Sequence, residues 1–169
     1  MPLYLGNQRL KELYVGGQKI KEAWMLVGGV LRKVYSSFMA AGATRTADGS
    51  VGSQTPVKTT GWVGNTTEFP GSVVVNNGLQ MRGTKTGAVL TVAATYYWTW
   101  SGDFNLAAYV NGVQRGATLV LNIPNAYTNY PLSGTITLDV EDGEVVDLYY
   151  WAALSFNMTV RSGAKFSIA

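Results

Sequence analysis

The densest group of ionisable side chains is acidic: Asp139, Glu141, Asp142, Glu144 and Asp147, gathered around Gly143. Paired carboxylates can run glycoside hydrolysis, one protonating the leaving oxygen while the other attacks or activates water. Carboxylates crowded on a loop can also hold calcium. This group straddles a Gly-centred turn, and its spacing departs from the calcium-loop pattern. A solvated turn is the expected role, so no catalytic and no metal-binding residue is assigned. Nucleophilic chemistry has less support. The chain contains no His and no Cys, so serines lack the commonest activating base and metals lack imidazole and thiolate ligands. A Ser–Lys arrangement would need Lys58, Lys85 or Lys165 buried beside a serine, and their spacing does not suggest it. No Gly-rich loop joins a strand to a helix in the way that cradles phosphate. The chain reads as a non-enzyme with no implied cofactor.

Binding chemistry is better represented. Asn125, Tyr127, Asn129 and Tyr130 lie between Pro124 and Pro131. Aromatic rings stack on sugars while amides bond their hydroxyls, so this loop is a candidate glycan or receptor contact. The competing reading packs the tyrosines on the edge of the fold. Trp62 and Phe69, set among Gly and Asn, carry the same two readings. Tyr96, Tyr97, Trp98 and Trp100 run almost together, as do Tyr149, Tyr150 and Trp151. Strand alternation sends Tyr97 to one face and Tyr96, Trp98 and Trp100 to the other. One face can fill a core, and the other needs a cover. A neighbouring subunit would supply it, making Tyr96, Tyr97, Trp98, Trp100, Tyr149 and Trp151 candidate oligomer contacts. The alternative cover is the N-terminal segment or linker of the same chain.

The elements that must position these groups are strands. The 169 residues are 47% hydrophobic and 14% charged, with 20 Gly, a globular balance rich in turns. No apolar run is long enough for a spanning helix, and no membrane insertion is expected. Residues 1–35 repeat: Tyr4-Leu5-Gly6-Asn7-Gln8-Arg9, then Tyr14-Val15-Gly16-Gly17-Gln18-Lys19, then a looser Leu26-Val27-Gly28-Gly29-Val30-Leu31. Gly-Asn and Gly-Gly suit two-residue hairpin turns. The expectation is an antiparallel meander of about four strands with turns at Gly6-Asn7, Gly16-Gly17 and Gly28-Gly29. Six Lys and Arg face two Glu here, a net +4, while the rest of the chain is −1. Arg9, Lys11, Lys19, Lys21, Arg32 and Lys33 are either a solvated face or an anchoring surface for an acidic partner. Nucleic acid is not expected, because no nucleic-acid fold signal accompanies the charge.

Residues 37–60 are small and polar and read as a linker. From 61 to 169 strand follows strand, with turns at Asn76-Asn77-Gly78, Asn111-Gly112 and Glu141-Asp142-Gly143-Glu144. Eight to ten strands without a helix predict an all-β fold: an N-terminal antiparallel β-repeat (1–36), a linker (37–60) and a C-terminal jelly-roll β-sandwich (61–169).

Two resemblances accompany this reading. Ala94–Gly102, the Leu106–Val113 hairpin, Leu138–Leu148 and Ser162–Ile168 resemble strands of tumour-necrosis-factor and complement-type jelly rolls. That resemblance implies a homotrimer assembled through one sheet face. Tyr14-Val15-Gly16-Gly17-Gln18-Lys19-Ile20-Lys21 resembles units that open minor tail proteins of long-tailed phages of actinobacterial hosts. The segment from Gly61 to Ser72 resembles stretches opening their jelly rolls. Together they imply a virion tail or fibre protein, assembled in the host cytoplasm, that binds other virion proteins through its repeat and touches host-envelope glycan with its head. The alternatives are a carbohydrate-binding module without a virion role, and a capsid decoration or head-fibre protein.

Overall fold

The computed structural model describes residues 4–5, 8–9, 14–15, 17–51, 53–152 and 158–169. Short arms flank the glycine turns at the start of the chain: β1 (Tyr4–Leu5), β2 (Gln8–Arg9), β3 (Tyr14–Val15), β4 (Gln18–Lys19), β5 (Glu22–Val27) and β6 (Val30–Ser36). They pair as β1–β2, β3–β4 and β5–β6. The register repeats: Tyr4 opposes Arg9, Tyr14 opposes Lys19 and Leu26 opposes Leu31. Gly28 and Gly29 turn with φ of +59° and +79°, the left-handed pair that a two-residue hairpin needs. Gly6-Asn7 and Gly16 lie outside the described residues. Instead of one continuous meander, the described residues form three separate hairpins. Two-residue arms carry too few ladder bonds to template a further strand.

The sandwich follows: β7 (Ala41–Arg45), β8 (Gly49–Val51), β9 (Val57–Lys58), β10 (Trp62–Gly64), β11 (Val73–Val75), β12 (Gly78–Gln80), β13 (Lys85–Trp98), β14 (Gly102–Val110), β15 (Val113–Ile123), β16 (Thr128–Val140), β17 (Val145–Ala152), β18 (Met158–Val160) and β19 (Lys165–Ile168). One sheet runs β10–β7–β19–β13, with β16 on the far side of β13 and β18–β8 beside its C-terminal end. The other runs β11–β12–β17–β14–β15, with β9 beside β17. Every ladder is antiparallel.

Residues 37–60, expected to link the two parts, contribute β7, β8 and β9 to these sheets. β7 lies between β10 and β19, with Ala41, Gly42 and Ala43 buried. Their small size reflects packing rather than looseness. The Phe69 ring lies over Gly42, where an added Cβ would meet its Cδ2 at 2.4 Å.

Alternation builds the core. Leu90, Val92, Tyr96 and Trp98 point inward from β13, and Phe104, Leu106, Ala108 and Val110 point inward from β14. Leu148 and Tyr150 join them from β17, and Phe166 and Ile168 from β19. Tyr96 meets Phe104 at 4.8 Å between ring centroids, and Phe104 meets Tyr150 at 5.5 Å. Trp62 packs edge-on against Phe166 at 4.8 Å. Each large side chain buried this way contributes about 1.5–3 kcal/mol.

The two sheets approach closely where β15 crosses β16. Gly116 has φ +76°, and a Cβ there would lie 2.6 Å from both the Thr137 carbonyl oxygen and Ile136 Cγ2. A Cβ at Gly134 would meet Leu119 Cδ2 at 2.3 Å. Gly143 has φ +86° with open space around it. Gly116→Ala therefore carries backbone strain plus a clash with main chain, while Gly143→Ala carries strain alone. Urea unfolding is expected to show Gly116→Ala losing about 2 kcal/mol more than Gly143→Ala; equal losses would contradict this account of the crossing.

Candidate interaction surface

The outward face of the β13–β16 ladder is built from alternate residues on two long strands. Their register pairs Val89 with Thr137, Thr91 with Thr135, Ala93 with Ser133, Thr95 with Pro131, and Tyr97 with Asn129. The burial pattern turns these positions away from the core, from half-buried to exposed. None of the ten is charged. A solvated sheet face ordinarily carries Lys, Glu and Arg. Charge depletion marks the centre of an interface, and short Thr, Ser and Ala side chains lose little rotamer entropy when covered. The charged groups sit at the margins. Lys165 of β19 pairs with Glu68, and Arg161 lies over the Tyr97 ring at 5.0 Å. A recess of 160 Å³ beside the ladder is lined by Asn65, Phe69, Thr91, Ala93, Lys165 and Ser167, among others.

The aromatic runs divide differently from the expected interface. Tyr96 and Trp98 are core residues, 3% and 1% exposed, so the sandwich has already consumed them. Tyr97 is the aromatic on the outward face of β13, and Trp100 is exposed just beyond that strand. Tyr149 and Trp151 lie on the outward side of the other sheet and are half-buried. Tyr149 stacks on Tyr109 at 4.1 Å, so part of its cover comes from the same chain. Burial pushes the Tyr96 and Tyr150 hydroxyls well above the usual tyrosine value, with the Arg45 charge partly opposing. Both rings act as neutral packing groups.

The acidic group serves the fold. Asp139 Oδ1 accepts from the Gly87 amide and Asp142 Oδ1 from the Gly83 amide, each at 2.7 Å. Glu144 accepts from the Glu141 amide and from Arg115. Asp147 Oδ1 lies 2.7 Å from Lys58 Nζ. These four carboxylates each hold a turn or a neighbouring strand, and the described residues contain no three His, Cys, Asp or Glu side chains grouped to hold a metal.

In the loop between β15 and β16, Tyr127 is 71% exposed and adopts φ +58°, a strained conformation for a bulky residue. Its amide donates to the Trp98 carbonyl at 2.8 Å, which fixes the loop. Asn125 Nδ2 donates to the Tyr130 hydroxyl at 2.9 Å. Asn129 Oδ1 accepts from Arg161 Nε at 3.0 Å. Asn125, Tyr127 and Asn129 are exposed, while Tyr130 is half-buried and packs on the core. Trp62 packs in the core against Phe166, while Phe69 is half-buried and covers Gly42 beside the recess. Of the basic repeat residues, Lys19, Lys21 and Arg32 are exposed; Lys11 and the side chains of Arg9 and Lys33 lie outside what is described.

Sequence reading missed the uncharged ladder, although Thr135 and Thr137, alternating with Ile136 and Leu138, carried its signal. It also missed the tie between Asp48 and the turn at Arg161 and Ser162. The Ser162 amide donates to Asp48 Oδ1 at 2.7 Å, and Arg161 Nη1 donates to Oδ2 at 2.8 Å. These bonds, the Ser162 amide first, hold the Asp48 carboxyl below its ordinary 3.8. A depressed folded value means that this tie is present above the ordinary carboxylate range and is lost as pH falls through the lower folded value. In an NMR titration Asp48 is expected to protonate below pH 3.8, and Arg161→Ala should raise its midpoint; an unshifted midpoint in both proteins would refute the tie.

No family model matches the chain, and no curated protein matches it. Solved structures do. The chain is similar to Eiger TNF from S. frugiperda at 11% identity and a TM-score of 0.56, over 78% of this chain and 90% of that one. Vertex protein P5 of PRD1 aligns at 14% identity and 0.46, over 93% and 84% of the two chains. The globular domain of zebrafish complement 1qA aligns at 13% identity and 0.46, over 78% and 95%. At such identities the likeness speaks for the fold alone: the chain folds as a jelly-roll sandwich of the kind seen in Eiger TNF.

Proposed function

We propose that this chain is a non-enzymatic structural protein of a virus particle, a phage tail or fibre component whose jelly-roll heads associate in threes. The uncharged outward ladder of β13 and β16 is the observation that carries this reading. It is long and continuous, short in its side chains from Thr91 to Thr95 and from Ser133 to Thr137, and it suits close contact with a second sheet of the same kind. The order of parts supports the same role, with a basic repeat at one end to join the particle and a rigid head to display. Tyr127, held exposed among amides, offers a ring for stacking on host-envelope glycan. Three such loops on one head would multiply a weak contact through effective concentration.

The purified chain is expected to sediment at three times its 18.2 kDa mass. Thr135→Arg, which places a charge in the ladder without touching the core, should reduce that mass while the sandwich stays folded. A wild-type chain that is monomeric at high concentration would overturn the assembly reading. Antibody-labelled imaging of whole particles should place the chain on the tail or fibre, and absence from the particle would refute the virion role. Tyr127→Ala should weaken binding to a host-envelope polysaccharide about tenfold, the scale of one lost ring contact, as read on a glycan-coated surface. An unchanged affinity would remove this loop from the contact.

A further inference from the structure

One cation is taken into the sandwich without a carboxylate beside it. Arg45 ends β7, opposite Trp62 of β10, and alternation points it inward with Ala41 and Ala43. It is 5% exposed. A guanidinium stays charged, and a buried charge is costly unless it is paired. Among the described residues no Asp or Glu lies within ion-pair distance of Arg45. Its side chain makes one hydrogen bond there, from Nε to the Ala47 carbonyl at 3.4 Å. The Trp62 ring, 5.6 Å away, carries no formal charge. Nη2 lies against two glycines: a Cβ at Gly61 would sit 3.2 Å from it, and a Cβ at Gly49 would collide with it.

A second orphaned group lies in the same region. The Tyr150 hydroxyl, on the facing sheet, is buried with no hydrogen-bond partner among the described residues. The Arg45 charge reaches this hydroxyl and that of Tyr96. Asp48 feels the same charge, but its two oxygens are occupied by the Ser162 amide and Arg161 Nη1. Two guanidiniums divided over one carboxylate leave one positive charge unbalanced.

We propose that Arg45 anchors an oxyanion site where β7 ends, taking a single carboxylate or phosphate group. With Nε held by Ala47, the free edge of the guanidinium presents one N–H from each Nη, the fork that meets two oxygens of a carboxylate or phosphate. Water satisfies such donors but leaves the charge unbalanced; one oxyanion does both. Tyr150 brings a neutral hydroxyl donor to the same region. Gly49 and Gly61 keep the Nη2 side clear of side chains that would close it. The site belongs to a single chain, so it stands or falls apart from the assembly and the glycan contact proposed above.

Inorganic phosphate is the probe, titrated into the full chain at fixed ionic strength and followed by the NMR amide signals of Ala47 and Gly61. Both signals should shift to saturation. Arg45→Met removes the charge while keeping an apolar side chain among Trp62 and its neighbours, an exchange that buried ions often tolerate. It should weaken phosphate binding about tenfold or more, the scale of one charge-assisted hydrogen bond. Gly49→Ala keeps every charge but pushes Nη2 aside, and it should weaken binding as well. Should Arg45→Met fail to fold, Gly49→Ala decides. Acetate should displace phosphate, because the fork fits both. Displacement by a uronate-bearing polysaccharide as well would place the group on a polymer, and displacement by acetate alone would make it a small free ion; either result retains the site. Shifts that grow linearly without saturating would overturn the inference, because only water and the bulk ion atmosphere would then meet the guanidinium. Wild-type affinity in the variants would overturn it too.

Discussion

Alternation along β13 governs how this molecule spends its bulky side chains. The strand pairs with β16 over nearly its full length on one side, and with β19 and then β18 on the other. Such a strand cannot slip by one residue without reversing every side chain between core and surface. Leu90, Val92, Tyr96 and Trp98 are committed inward by that register, and Val89, Thr91, Ala93, Thr95 and Tyr97 outward. The aromatic contact of Tyr96, Phe104 and Tyr150 across the two sheets depends on it. So does the composition of the outward ladder, where the same two-residue period leaves Val89, Thr91, Ala93 and Thr95 outside with Tyr97 as the single ring from β13.

The apolar surface left over is consequently in a different place from where ring-rich strands would suggest. The sandwich hides most of its own aromatics, and its outward ladder is neutral rather than greasy. The exposed large apolar side chains gather instead on the N-terminal hairpin. These two surfaces call for different packing. A ladder of Thr, Ser and Ala allows close approach at small entropic cost. The hairpin sets Leu26 against Leu31 and Val27 against Val30, with Lys33 and Arg32 opposite Trp24 and Met25.

Much of the architecture was legible because it rests on local rules. Asn76-Asn77 and Asn111-Gly112 turn as their residue types demand, with positive φ at each of the four positions. The segment around Phe166-Ser167-Ile168, alternating apolar and polar, is a strand between β7 and β13. The stretch from 37 to 60 was not legible. Ala41-Gly42-Ala43 lacks the β-branched composition of a strand, yet it lies in mid-sheet between β10 and β19, with the Phe69 ring over Gly42. Propensity loses there to a long-range contact. The acidic group was readable as a turn, but its separate tasks depend on the amides of Gly83 and Gly87, more than fifty residues earlier in the chain.

By itself the sequence determined the class of structure, the turns, the repeat and the scarcity of catalytic side chains, since each follows from residue type or short-range spacing. Tertiary structure decided which aromatics are core and which remain outside, because a two-residue period divides a strand into faces without saying which face meets the second sheet. It also decided that β7 lies in mid-sheet between β10 and β19. Burial depends on what lies opposite a residue, and residues opposite in space are seldom neighbours along the chain.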